Sequence, residues 1–201
     1  MKFFDFIEKY AEYIAYGLLA VIVFFKKTKD VFQKFFEGKK KVDIKKNVNS
    51  DLEISKILAE MIATFSCVRI LLYQRHNGGV YASKKSMQKV SATHEHVAPG
   101  YMQIMDSMKD IFFSSMPSLF ENLMKKKSFV IYYNEATEES QMDMDKLGVE
   151  AIKLKIIDSK ENDFIGYITM HFDESRLDEI HEIDEKELER FINRIKTYLL
   201  K

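Results

Sequence analysis

One cysteine, Cys67, stands in 201 residues, which excludes an intramolecular disulfide and any Cys-x-x-Cys metal site. It falls at the start of a predicted strand, where a small buried hydrophobe is the ordinary role and a reactive thiol the other. The chain also lacks a phosphate-binding Gly-x-x-x-x-Gly-Lys loop, a Gly-x-Ser-x-Gly elbow and a His-Glu-x-x-His pair. With those enzyme classes set aside, the expectation is a non-enzymatic protein with no cofactor and no metal.

An excess of charge of either sign is missing too, since 31 Lys and Arg balance 31 Asp and Glu. The balance hides a split. Residues 26–46 carry nine Lys against Asp30, Glu37 and Asp43, a net of +6, and residues 1–25 are −1, which leaves −5 for residues 47–201. An acidic domain with one basic stripe argues against general nucleic-acid binding and for a locally placed anionic partner such as a membrane surface.

No uncharged run reaches the ~20 residues that a bilayer-crossing helix needs. The longest is residues 13–25, followed at once by Lys26 and Lys27. Extending it back to Phe6 takes in Glu8, Lys9 and Glu12; the first two can snorkel, and Tyr10, Tyr13 and Tyr16 suit an interfacial belt. A single transmembrane helix within residues 1–27 is therefore expected, with a buried core helix or an interfacial helix as the alternatives. A cleaved signal peptide fits poorly, because the flank before the run is acidic and no small-residue cleavage site follows. The lysines after the run place that side in the cytoplasm, giving a single-pass protein of the cell membrane with a cytoplasmic C-terminal domain. In residues 28–49, Val31, Phe32, Phe35 and Phe36 recur at helical spacing. The expected membrane-surface set is Lys26, Lys27, Lys29, Phe32, Phe35, Phe36, Lys39, Lys40 and Lys41; a solvated basic linker is the alternative.

The folded part is expected at residues 50–201. Ser50 with Glu53 reads as a capping box, and behind it Ile54, Ile57, Leu58, Met61, Ile62 and Phe65 mark one helix face. Residues 68–75 read as a strand ending in the turn signal Asn77-Gly78-Gly79. Residues 80–96 return, with an irregular centre at Ser83 to Ser86. Residues 101–113 and 117–126 read as two helices, the second with Pro117 in its first turn. Residues 129–133 form a strand, and a short helix precedes Gly148. Residues 149–172 are a hairpin: Ile152, Leu154 and Ile156 alternate with Lys153 and Lys155, and the second strand is apolar on both parities around Gly166, which marks a close backbone approach. Asp184 and Glu187 cap a last helix whose Leu188, Phe191, Ile192 and Ile195 face inward.

This order, with Leu147-Gly148-Val149, the strand after it, Phe164-Ile165-Gly166-Tyr167-Ile168 and an acid-capped final helix, resembles the GAF domain, a small sensory fold related to PAS. The likeness covers about 150 residues, from Ser50 to Lys201. It implies an α/β (α+β) fold: an antiparallel sheet of five to six strands, terminal helices on one face that offer a dimer surface, and middle helices roofing the other, where family members hold ligands. It implies a sensory or interaction module that binds a small ligand or a partner protein. Within that family, covalent bilin attachment needs a cysteine near the middle helices, methionine-sulfoxide reduction needs several cysteines, and cyclic-nucleotide binders carry a signature absent here. The layout, and the stretch Gly-x-Ile-Thr-Met-x-Phe from Gly166, also look like the T-even phage holin family, in which a lysis protein carries its globular domain outside the cytoplasmic membrane, the reverse of what the lysines predict. A structural membrane tether is the third reading.

Arg75-His76-Asn77-Gly78-Gly79 reads either as an anion contact through Arg75 and the glycine N–H groups or as a plain hairpin turn. His94 and His96 share one face of a strand about 7 Å apart, without an identifiable third metal ligand. If a pocket exists, Tyr73, Thr93, His94, His96, Tyr101 and Tyr133 are expected to line it.

Overall fold

The computed structural model describes residues 44–200 apart from Lys85, Lys160 and Asn162. The expected transmembrane helix and the membrane-surface residues lie outside the described residues. Among the described residues no helix is long and apolar enough to cross a membrane.

Six strands form one antiparallel sheet: β1 (Arg69–Val80), β2 (Ser86–Val97), β3 (Ile111–Phe112), β4 (Ser128–Tyr132), β5 (Ala151–Asp158) and β6 (Phe164–Phe172), in the spatial order β3-β2-β1-β6-β5-β4. Among the described residues four α-helices accompany it: α1 (Ile44–Phe65), α2 (Pro117–Lys126), α3 (Glu138–Leu147) and α4 (Glu185–Leu199). The expected α+β sheet with helices on both faces is what forms.

The sheet divides two cores. On one face Ile54, Ile57, Leu58, Met61 and Phe65 of α1 and Leu188, Phe191, Ile192 and Ile195 of α4 bury against Ile70, Leu72, Ile168, Met170 and Phe172. The spacing of those residues along each helix gives the stripe that a surface helix must bury. On the other face, here termed the roof side, Phe120 and Leu123 of α2 meet Leu71, Tyr73, Leu154, Ile156 and Tyr167. With cores on both sides, β6 is buried along almost its whole length, as its unbroken apolar run requires.

Four local expectations need correction. First, α1 passes through Ser50 without a break, and Glu53 pairs with Lys56 at 2.7 Å rather than with a backbone N–H; once Ile54 to Phe65 are nucleated by burial, each further residue adds a hydrogen bond at little cost. Second, Asn77-Gly78-Gly79 does not turn. The ladder runs on to Val80 opposite Ser86 through a bulge, in which Gly79 takes the positive φ (117°). The reversal comes after Val80, where the Lys84 N–H donates to the Tyr81 carbonyl (2.8 Å).

Third, residues 101–113 are not a helix. They are an irregular strap with a 3₁₀ turn at Met105–Ser107 and the short β3. Its backbone groups are engaged by the sheet: Met102 O by Arg69, the N–H groups of Ile104 and Met105 by Glu95, and Met108 O by Ala92 N–H. Groups so occupied are not available for a helix ladder. Fourth, Lys153 and Lys155 do not face water. They lie beneath the start of α4, with Lys153 Nζ 2.5 Å from Glu185 Oε1 and Lys155 Nζ 3.1 Å from Glu189 Oε2, so that long aliphatic stems are covered while the charges meet partners at the rim.

Candidate functional site

The roof side of the sheet holds the densest chemistry. Its middle is aromatic. Tyr73 and Tyr167 are cross-strand partners, stacked 4.6 Å apart at 7°, and Phe113 stacks on Phe120 at 4.1 Å with Phe164 edge-on at 5.6 Å from Phe113. Burial pushes both phenols up, and Glu95 adds to the effect on Tyr73. Neither hydroxyl has a hydrogen-bond partner among the described residues.

Its end, where β1 begins and β6 finishes, is polar. Arg69 and Glu95 have side chains only 1% and 3% exposed, with Nε 3.3 Å from Oε1. Charge is compensated there, yet the buried Arg69 Nε has no hydrogen-bond partner. Arg69 Nη2 donates to Met102 O at 2.8 Å, and Glu95 accepts from the Ile104 and Met105 N–H groups at 3.0 and 2.9 Å. Tyr101 donates its hydroxyl to Asp173, closing the strap over this end. One buried ion pair thus ties the strap to the sheet through both its donors and its acceptors.

His171 completes the cluster, with Nδ1 3.3 Å from Arg69 Nη1 and Nε2 3.1 Å from Thr169 Oγ1. Arginine only donates, so Nδ1 accepts and the ring proton sits on Nε2, facing Thr169. Burial, with the Arg69 charge beside it, pushes the imidazole down to about 3. The unfolded chain takes up this proton near pH 6.5 and the native state only near 3. Between those values the unfolded state holds more protons, so stability is full above about 6.5 and falls as pH drops, by at most about 1.4 kcal/mol per pH unit. His171→Gln is expected to flatten the decline of the urea midpoint between pH 6.5 and pH 4; equal slopes in the two proteins would refute the assignment. His94, also shifted down by burial against the opposing pull of Asp51, contributes in the same direction.

The residues singled out in the sequence fall in five places. Tyr73 and Tyr101 belong to the roof side. His94 lies on the opposite face, 3.3 Å from Asp51 of α1; His96, two residues on in β2, shares that face. Thr93 is the bulged residue of β2, bonded to Gln74 and His94. Tyr133 follows β4 at the far edge and donates to Asp145 at 3.1 Å. Arg75, His76 and Asn77 lie near the outer end of β1. Asn77 Oδ1 accepts from Gly79 N–H and from the Ser86 hydroxyl, both at 3.0 Å, so the glycine amide that an anion would use is occupied.

His76 Nε2 is 2.9 Å from Ser91 Oγ and 3.9 Å from Asp110 Oδ1. This is not a nucleophile relay, because both partners meet the same ring nitrogen, whereas activation needs the acid on one and the hydroxyl on the other. Asp110 also pairs with Lys89 at 3.0 Å. Among the described residues no group of three or more His, Cys, Asp or Glu side chains is arranged to hold a metal.

The ion pair Arg69–Glu95 and its neighbours Thr169 and His171 are not among the residues that the sequence singles out. The available signal was a charged or polar residue inside each otherwise apolar strand, at Arg69 in Val-Arg-Ile-Leu-Leu and at His171 in Ile-Thr-Met-His-Phe. Such residues are rarely buried unless paired.

No protein-family model matches the chain, and no curated protein matches its sequence. Solved structures share its fold. The phycoerythrobilin-bound GAF domain of a cyanobacterial phytochrome aligns with a TM-score of 0.55 at 14% identity, over 78% of this chain and 88% of that one. The blue-light-absorbing form of the Thermosynechococcus elongatus PixJ GAF domain gives 0.53 at 15%, over 79% and 88%. A GAF domain/HD domain protein from Geobacter sulfurreducens gives 0.52 at 10%, over 75% and 90%. The expected GAF-like fold is therefore present, and at these identities the likeness is one of fold.

Proposed function

We propose that this chain is a non-enzymatic sensory module of GAF fold, carried on a membrane by its N-terminal segment with the domain in the cytoplasm, and that the polar end of the roof side receives a small ligand. The observation that carries the reading is unused hydrogen-bonding capacity in a sheltered place: the buried Arg69 Nε has no hydrogen-bond partner among the described residues, beneath a strap held largely by polar bonds, and the nearby Tyr73 and Tyr167 hydroxyls make no hydrogen bond to a described residue. A buried polar group without a hydrogen bond is costly, which applies to Arg69 Nε, and all three groups can donate. The complementary ligand is small and presents acceptor oxygens, a carboxylate or a carbonyl. Binding would compete with Glu95 for Arg69 and so loosen the strap, which gives the module a readout.

A covalently held chromophore does not suit these residues. The lone cysteine is in the other core, fully buried, with its thiol pushed up by burial to about 12. Cys67 is accordingly expected to resist iodoacetamide in the native protein and to react fully in denaturant; labelling of the native protein with little loss of structure would overturn this placement.

The test of function uses the whole chain in nanodiscs and a thermal-shift screen of small carboxylates and carbonyl compounds. Tyr73→Phe and Tyr167→Phe remove only unpartnered hydroxyls, so each should leave the unliganded melting temperature within a few degrees while abolishing the shift of any hit. A screen without hits, or hits indifferent to both substitutions, would defeat the proposal. Self-association through the paired outer helices is the second part of the reading. There α1 and α4 already lie side by side, joined by Arg194–Glu60 at 2.6 Å and Phe65–Phe191 at 5.6 Å.

A further inference from the structure

We infer that the β1–β2 hairpin tip forms a docking surface for an anionic bilayer. This rests on the proposed attachment of the chain to a membrane through its N-terminal segment. Val80 and Tyr81, at the tip, are 62% and 39% exposed.

Charge selects the occupant. Residues 70–94 contain Arg75, Lys84, Lys85 and Lys89 and not one Asp or Glu, although residues 47–201 as a whole are net −5. Asp110 pairs with Lys89 and Asp51 lies beside His94, while Lys84 sits in the reversal itself. A hairpin end that carries basic residues and two exposed apolar side chains without an acid of its own, on a domain that is net acidic, is complementary to an anionic lipid surface. Lysine enters the headgroup charge, valine enters the acyl boundary, and tyrosine suits the interface between them. The rest of the domain, being acidic, is repelled by the same surface, and this orients the docking.

The sequence contains no tryptophan, so Tyr81→Trp makes a single-site reporter. The full chain carrying it is placed in phosphatidylcholine nanodiscs with and without phosphatidylserine, using brominated lipids as quenchers. Expected in the anionic discs are a blue-shifted emission and quenching by the bromines, both lost on adding Lys84→Glu. Met142→Trp, at an exposed position of α3, should stay water-like in both discs. Incorporation with a water-like Tyr81→Trp signal would overturn the docking alone. A blue shift without lipid quenching would also overturn it, by assigning the patch to protein contact. Failure to enter discs of either kind would overturn the membrane reading and the inference together.

Discussion

Glu95→Ala is expected to remove about 3–5 kcal/mol of stability, the cost of stranding a buried charge. That is a large share of the roughly 5–15 kcal/mol typical of a whole domain. Glu95 does two tasks at once: it compensates the buried guanidinium of Arg69 and accepts from the N–H groups of Ile104 and Met105. The substitution leaves all three donors sealed from water. Urea unfolding read by circular dichroism measures the loss, and hydrogen exchange on the strap should rise more than exchange on α4. The paired replacement Arg69→Met with Glu95→Leu separates the two tasks. If the ion pair were all that mattered, the apolar pair would be near neutral. With the strap amides still orphaned, about 1–3 kcal/mol each should remain lost. A double variant as stable as the original chain would show that the amides find water and that the strap is not pinned by Glu95.

Gly166→Ala is the second large effect. A methyl built on Gly166 would lie 2.0 Å from the Tyr73 carbonyl oxygen and 3.2 Å from the Gln74 Cα. Both are backbone atoms of the neighbouring strand, so no side-chain rotation relieves the clash. The strands must part, and the Tyr73–Tyr167 stack and both cores depend on that pairing. The expected cost is about 4 kcal/mol or more, seen as insoluble protein or a collapsed melting temperature. Gly148→Ala is the control: nothing lies within 4 Å of its added methyl, and only its φ of 60° is unfavourable, so about 1–2 kcal/mol is expected. Similar losses at the two positions would mean that β1 and β6 do not approach as described.

Much of the architecture is legible in the amino-acid sequence. The apolar stripes from Ile54 to Phe65 and from Leu188 to Ile195, the Pro117 helix start, the Gly148 helix stop, and the two-sided burial of β6 with its close approach at Gly166 follow from local periodicity and backbone chemistry. Where local signals fail, a long-range partner has taken over. Asn77-Gly78-Gly79 has the composition of a turn, but its Asn77 oxygen and the Val80–Ser86 pairing keep it in the ladder. Residues 101–113 have a helical pattern, but Glu95, Arg69 and Ala92 claim their backbone.

The candidate site follows the same division. Tyr73 and Tyr101 can be named from the sequence as aromatic and polar groups suited to a pocket, because residue type suffices for that. His94, Thr93 and Tyr133 cannot be separated from them, because which face a strand residue uses depends on bulges and register that are set by its neighbours. Arg69, Glu95, Thr169 and His171 come from three strands, up to 102 residues apart in sequence. Charge, periodicity and turn chemistry act over a few residues and determined the elements and their buried faces. Only the folded sheet decided that these four polar side chains share one buried corner, because their pairing is an energy of contact across the chain that no local window contains.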